Sequence, residues 1–273
     1  MQRVLLALTL AAACGKPEPS VSPPTETGPQ TGPENVVAQP GAFTARTVTI
    51  GAETFPYQVF VPKAYTTAQK WPVVVSIHGG NERGSDGLKQ MTTGLAVVVK
   101  NEVNTFPAIA IFPQMPAGEH VGRDIPIAIA TAALDWVLKA YSTDSKRVYL
   151  TGTSFGGGLI YEIALQNPVR FAAMAPISAI VCDFCVLAAP PDIAIGSSYP
   201  TIAKSLGSTP MWMFHGTDDR LVDIKYPRAA DLAFKANGWN VLYTEFPGES
   251  HSGTWDKVYR MPAFYTWLWA QHR

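Results

Sequence analysis

Between an apolar run, Arg147-Val148-Tyr149-Leu150, and an apolar-periodic stretch, Leu159-Ile160-Tyr161-Glu162-Ile163-Ala164-Leu165, stands Thr151-Gly152-Thr153-Ser154-Phe155-Gly156-Gly157-Gly158. The order reads strand, tight turn, helix, with Gly-x-Ser-x-Gly at the turn. A serine placed there sits on a strained corner with its hydroxyl projecting above a sheet. Gly152 and Gly156 let strand and helix approach where a Cβ would clash. The helix also directs its N-terminus at the serine, where its dipole favours negative charge. A glycine-rich turn that merely contains a serine is the plainer reading. The strand before it and the helix after it argue instead for a nucleophile at Ser154.

The rest of the chain supplies the sheet that such a turn requires. Residues 43–50 and 57–61 alternate apolar and polar residues like a hairpin turning near Gly51-Ala52. Trp71-Pro72-Val73-Val74-Val75-Ser76-Ile77 is β-branched with no helical period, which predicts a buried strand. Further strands are predicted over 106–112, 148–151, 171–177, 210–215 and 240–246. Helices are predicted over 87–100, from Asp124 with Pro126 in its first turn, after Ser154 to Asn167-Pro168, over 226–237 closed by Gly238, and over 255–273 with an interruption near Pro262. Residues 179–208 read as an irregular excursion, too short for a large lid. Strands and helices alternate from residue 71 onward, which implies a mostly parallel sheet of about eight strands with helices on both faces.

A serine hydroxyl needs a base, and the base needs an orienting acid. In sheets of this kind they come in the order Ser, Asp or Glu, His, each on a loop after a strand. Trp212-Met213-Phe214-His215-Gly216-Thr217-Asp218-Asp219 places two aspartates past one strand, and Phe246-Pro247-Gly248-Glu249-Ser250-His251-Ser252-Gly253 places a histidine past the next, in a Gly/Ser-rich loop. Of the five histidines, His251 alone suits the last strand-to-helix loop after both serine and acid; His272 is terminal, His120 precedes the serine, and His78 and His215 suit turn bracing. Asp219 is preferred as the acid, with Asp218 as the alternative. The oxyanion donors expected are the backbone N–H of Phe155 and one from Gly80 or Asn81 in the early strand-end loop. Glu82, Arg83 and Asp86 are expected to tie that loop down.

The first residues read as an export signal: Met1-Gln2-Arg3, an apolar stretch to Ala13 too short to span a bilayer, and an ending Ala11-Ala12-Ala13-Cys14. Small residues before a cysteine resemble a bacterial lipoprotein signal with Cys14 as the lipid-bearing residue, the alternative being an ordinary signal cut at the alanines. Residues 14–42 then form a Pro/Thr/Gly-rich tether, with seven of the 23 prolines between Lys16 and Gly41. The catalytic domain is read as 43–273, placing the protein in the cell envelope or outside the cell. In such a compartment Cys182 and Cys185 are read as a local disulfide, and no second cysteine pair completes a zinc site. Lys and Arg number 21 against 21 Asp and Glu, so nothing points to nucleic acid. The only membrane contact expected is the lipid anchor; the sequence leaves the oligomeric state open.

These residues resemble a family. Ile77-His78-Gly79-Gly80-Asn81-Glu82-Arg83-Gly84-Ser85-Asp86, Phe112-Pro113-Gln114-Met115-Pro116, the serine turn, His215-Gly216-Thr217-Asp218-Asp219 and His251-Ser252-Gly253-Thr254-Trp255-Asp256 look like the α/β-hydrolases of the predicted-peptidase, or phospholipase/carboxylesterase, group. That group is similar to the dienelactone hydrolases and to the secreted feruloyl and polyhydroxybutyrate esterases. The resemblance spans roughly residues 57–270. It implies a metal- and cofactor-independent serine esterase acting on small or polymeric esters, with Ser154, Asp219 and His251 as the triad. Asn81 stands where the group often has glycine, and Gly118-Glu119-His120-Val121-Gly122 where it commonly has tryptophan. Rival readings are a prolyl-oligopeptidase-like serine peptidase and a catalytically silent lipoprotein that binds a glycan or envelope partner.

Overall fold

The computed structural model describes residues 37–118, 124–181, 198–239 and 241–273. Cys14, Cys182, Cys185 and His120 lie outside the described residues, as do 1–36 of the signal and tether.

Eight strands form one sheet in the order β1-β2-β4-β3-β5-β6-β7-β8. They are β1 (Ala42–Ile50), β2 (Glu53–Val61), β3 (Trp71–Ile77), β4 (Ile109–Pro113), β5 (Thr143–Thr153), β6 (Ala173–Ile177), β7 (Trp212–Gly216) and β8 (Leu242–Phe246). β1 and β2 form the expected antiparallel hairpin, and β2 pairs antiparallel with β4. Every other pairing, linking β4, β3 and β5 through β8, is parallel. Seven helices accompany them among the described residues: α1 (Gly94–Asn101), α2 (Asp124–Ala140), α3 (Phe155–Gln166), α4 (Tyr199–Leu206), α5 (Lys225–Ala236), α6 (His251–Tyr259) and α7 (Pro262–Ala270).

The two-residue period of the strands divides the core. Val73, Val75 and Ile77 of β3 and Val148 and Leu150 of β5 face one side with Leu134 of α2, Ile160 of α3, Ile202 of α4 and Phe234 of α5. Val74 and Tyr149 face the other side with Leu95 of α1, Val258 of α6 and Phe264 of α7. All seven residues of β3 are buried, the pattern of a central strand covered on both faces.

The structure departs from the sequence expectations in four places. The helix expected over 87–100 begins only at Gly94, because Gly87 and Gly94 both have left-handed φ (70° and 59°), and a 3-10 turn (Lys89–Met91) lies between them. The excursion 179–208 contains a helix, α4, whose Tyr199 and Leu206 are fully buried. β5 starts at Thr143, well before the expected 148. The last helix is interrupted at Met261-Pro262 as expected, dividing it into α6 and α7, but α6 starts at His251, four residues before the expected 255, where the sequence predicts a loop.

Candidate active site

The serine, the acid, the histidine and the oxyanion loop all stand at the carboxyl ends of parallel strands, where ligands meet sheets of this kind. At the end of β5 the chain turns sharply, and Ser154 has φ 52° and ψ −119°. The turn is built by absence of side chains. A Cβ on Gly152 would lie 2.4 Å from the carbonyl oxygen of Gly156, and one on Gly156 would lie 2.4 Å from those of Ile77 and His78. The Ser154 N–H is held by the Ile177 carbonyl of β6 at 2.9 Å.

Three side chains converge. Ser154 Oγ lies 2.9 Å from His251 Nε2, and His251 Nδ1 lies 2.7 Å from Asp219 Oδ2. With Nε2 accepting from the serine hydroxyl, Nδ1 carries the proton and donates to the carboxylate. His251 is presented on the first turn of α6, which Ser250 caps by accepting from the Gly253 N–H. Ser178, which also has a positive φ, donates its hydroxyl to the His251 carbonyl at 3.0 Å.

Asp219 rather than Asp218 meets the histidine. The Asp218 side chain is 56% exposed beside Arg220, whereas that of Asp219 is fully buried. Asp219 Oδ1 accepts the N–H groups of Leu221 and Val222, both at 2.9 Å. His215 Nε2 lies 3.2 Å from Asp219 Oδ2 and 2.9 Å from the Val222 carbonyl. Burial works to raise the carboxyl of Asp219, but bonds from His215, His251 and the two backbone N–H groups outweigh it and hold the pKa well below the ordinary carboxylate range. His215 therefore touches the acid as well as bracing its turn. The signal for it, a histidine four residues before Asp219, is present in the sequence but uninformative without the fold.

The loop expected to supply the second oxyanion donor comes directly after β3. Phe155 is the first residue of α3, where a backbone N–H has no intrahelical carbonyl to meet. A Cβ on Gly80 would stand 3.9 Å from Phe155 Cβ, so the loop after β3 packs against the first residue of α3. Asn81 is exposed. Gly79 is packed so closely that a Cβ would lie 2.9 Å from Glu82 Oε2, 3.2 Å from Trp255 Cη2 and 3.8 Å from Ser154 Cβ.

This loop is tied down as its polar residues suggest, and by more. Arg83 Nε donates to the Gly80 carbonyl at 3.0 Å. Asp86 Oδ1 accepts the N–H groups of Leu88 and Lys89. Burial raises the pKa of Glu82, against the opposing pull of the backbone N–H groups of Glu82 itself and Gly79. Gln114, fully buried, joins them with no sequence signal for the role. It donates to the Glu82 carbonyl at 3.1 Å and to Asp86 Oδ1 at 3.0 Å, and accepts from the Gly87 N–H at 2.6 Å. His78 Nε2 accepts the Met115 N–H at 2.9 Å, and its Nδ1–H donates to the Gly79 carbonyl at 2.6 Å. Burial lowers His78 to about 4, so the ring is neutral near pH 7.

A crystal structure of a thermostable esterase superposes with a TM-score of 0.68 at 25% identity, covering 85% of this chain and 63% of that one. The chain has the α/β-hydrolase fold. A ferulic acid esterase from Anaeromyces mucronatus, solved in complex with ferulic acid, shares this fold with a TM-score of 0.63 at 15% identity, over 86% of this chain and 93% of that one. In sequence, the chain is 32% identical over 113 residues to Carboxylesterase SOBER1 of Arabidopsis thaliana, a match spanning 41% of this chain and less than half, 45%, of that relative. The profile of the prolyl oligopeptidase family matches residues 129–184, from α2 through the serine turn and past β6. Among the described residues, no group of three or more His, Cys, Asp or Glu side chains could hold a metal ion. No described helix is long and apolar enough to cross a membrane.

Proposed function

We propose that the chain is a serine hydrolase that cleaves carboxylic esters through an acyl-enzyme. The observation that carries this reading is the unbroken hydrogen-bond chain Ser154–His251–Asp219 beside the backbones of Phe155 and Gly80. Ser154 Oγ attacks the ester carbonyl as His251 Nε2 takes its proton, and Asp219 stabilises the imidazolium. The carbonyl electron pair moves to oxygen, which the Phe155 and Gly80 N–H groups receive. When the tetrahedral species collapses, the carbon–alkoxy bond breaks and His251 returns the proton to the departing alcohol. Water then repeats the sequence on the acyl-enzyme and releases the acid. The names of the esterase relatives support an ester substrate, small or carried on a polymer.

The family profile over 129–184 favours one second reading, a serine peptidase of the prolyl-oligopeptidase type. The proposal extends to location: an exported lipoprotein, held by lipid on Cys14 and a Pro/Thr/Gly-rich tether. The signal-like start and the Pro-rich composition support it.

The deciding experiment is hydrolysis of nitrophenyl esters from acetate to palmitate by the wild type and Ser154→Ala. The wild type is expected to turn over at least one ester, with kcat/KM lower by about 10³-fold or more in the variant. A wild-type rate equal to that of Ser154→Ala on every ester, with cleavage of peptide substrates instead, would establish the peptidase reading.

A further inference from the structure

Next to the serine turn lies a small cavity of about 10 Å³, lined by Ser76, His78, Gln90, Thr93, Gly94 and Thr153 among others. It is bounded by the ends of β3 and β5, which carry the oxyanion loop and the nucleophile, and by the first turn of α1. Gln90 is 2% exposed, yet neither its amide oxygen nor its amide nitrogen has a hydrogen-bond partner among the described residues. Burying both halves of an amide unpaired is costly, and native structures avoid it. A second feature borders the same space. The N-cap of α1, Thr93, makes no side-chain cap bond, so the first-turn N–H groups of that helix need another acceptor.

We propose that this cavity is a binding site for one internal water molecule that bridges the Gln90 amide to the first turn of α1. Water fits on two grounds. About 10–15 Å³ of such space accommodates one water. A water can accept from the helix N–H groups while donating to the amide oxygen of Gln90, which no simple ion can do. His78 does not compete for it, because both of its ring nitrogens are already bonded. Chloride suits a helix N-terminus but is too large for this space and leaves the amide oxygen unpaired.

The site would link the 3-10 turn Lys89–Met91 to the first turn of α1, beside the serine turn, through an element not covalently part of the chain. It does not depend on the reaction proposed for Ser154.

The test is a high-resolution crystal structure of the wild type and of Gln90→Met, with melting curves for both. The proposal expects a single water within hydrogen-bond distance of the Gln90 amide, its loss in the variant, and a fall in Tm of about 2–4 °C. A dry cavity with the amide turned to a protein partner overturns it, as does a chloride-strength anomalous peak or a variant that melts no lower than wild type. Should Gln90→Met not fold, water-to-amide NOEs on the wild type decide the matter. A long-lived water at the Gln90 side-chain NH₂ supports the site, and exchange with bulk solvent only overturns it.

Discussion

Ser154 holds a backbone angle that few non-glycine residues adopt, and such strain costs about 1–3 kcal/mol. It persists because its N–H is bonded to Ile177 and because Gly152 and Gly156 let strand and helix pack more closely than any Cβ would allow. At the same scale, the two adjacent aspartates separate by environment. Asp219 is buried and accepts from two side chains and two N–H groups, and Asp218 is at the surface. Asp219→Asn is expected to lower kcat by about 10⁴-fold, because the histidine tautomer is no longer fixed. Asp218→Asn should leave kcat/KM within about twofold, as surface changes do; steady-state kinetics on the same ester checks both. The low pKa of Asp219 has a definite sign. Its stabilisation is complete above the ordinary value of 3.8 and is lost only as the pH falls below it toward the folded value.

At the scale of elements, each group of the proposed triad is presented where a strand hands over to the next segment of chain. The serine rides the β5–α3 turn, the acid stands in the loop after β7, and the histidine opens α6. That last placement makes the Ser250 cap a positioning device, since fraying the first turn of α6 would displace the imidazole of His251. Ser250→Ala should therefore cost about 1 kcal/mol of stability by urea denaturation and lower kcat more than it changes KM. Equal loss of stability with unchanged kcat would show that the Ser178 bond to the His251 carbonyl is enough by itself to hold the histidine.

Across the whole molecule, the sheet joins two apolar layers, and the loop after β3 is pinned to it by a buried neutral histidine. His78 titrates near 6.5 when unfolded but is lowered to about 4 in the fold. The unfolded chain therefore takes up a proton that the folded one refuses, and stability falls as the pH drops from about 6.5 to about 4. This single group contributes about 3 kcal/mol to that fall. Denaturant melts at pH 7 and pH 4.5 should show His78→Gln with a smaller loss over this range than wild type, since glutamine retains a donor and an acceptor without titrating.

The sequence alone determined the alternating strands and helices, the hairpin, the serine turn and the order serine, aspartate, histidine along the chain. These are local or one-dimensional properties: period-two burial, glycine where a Cβ cannot fit, and motif order along a chain. It also offered Phe155, with Gly80 or Asn81, as oxyanion donors; of these, Gly80 lies against Phe155 and Asn81 is exposed. Only the tertiary structure decided what depends on segments far apart in the chain. Asp219 is separated from Asp218 by which carboxylate the β7 turn buries. Gln114 braces a loop some thirty residues earlier in the chain, and His215 reaches the acid only because its strand delivers both to one end. The α4 helix and the start of α6 at His251 were hidden because their Ser, Gly and Pro residues also suit loops, and packing of Tyr199 and Trp255 against the core overrides that local preference.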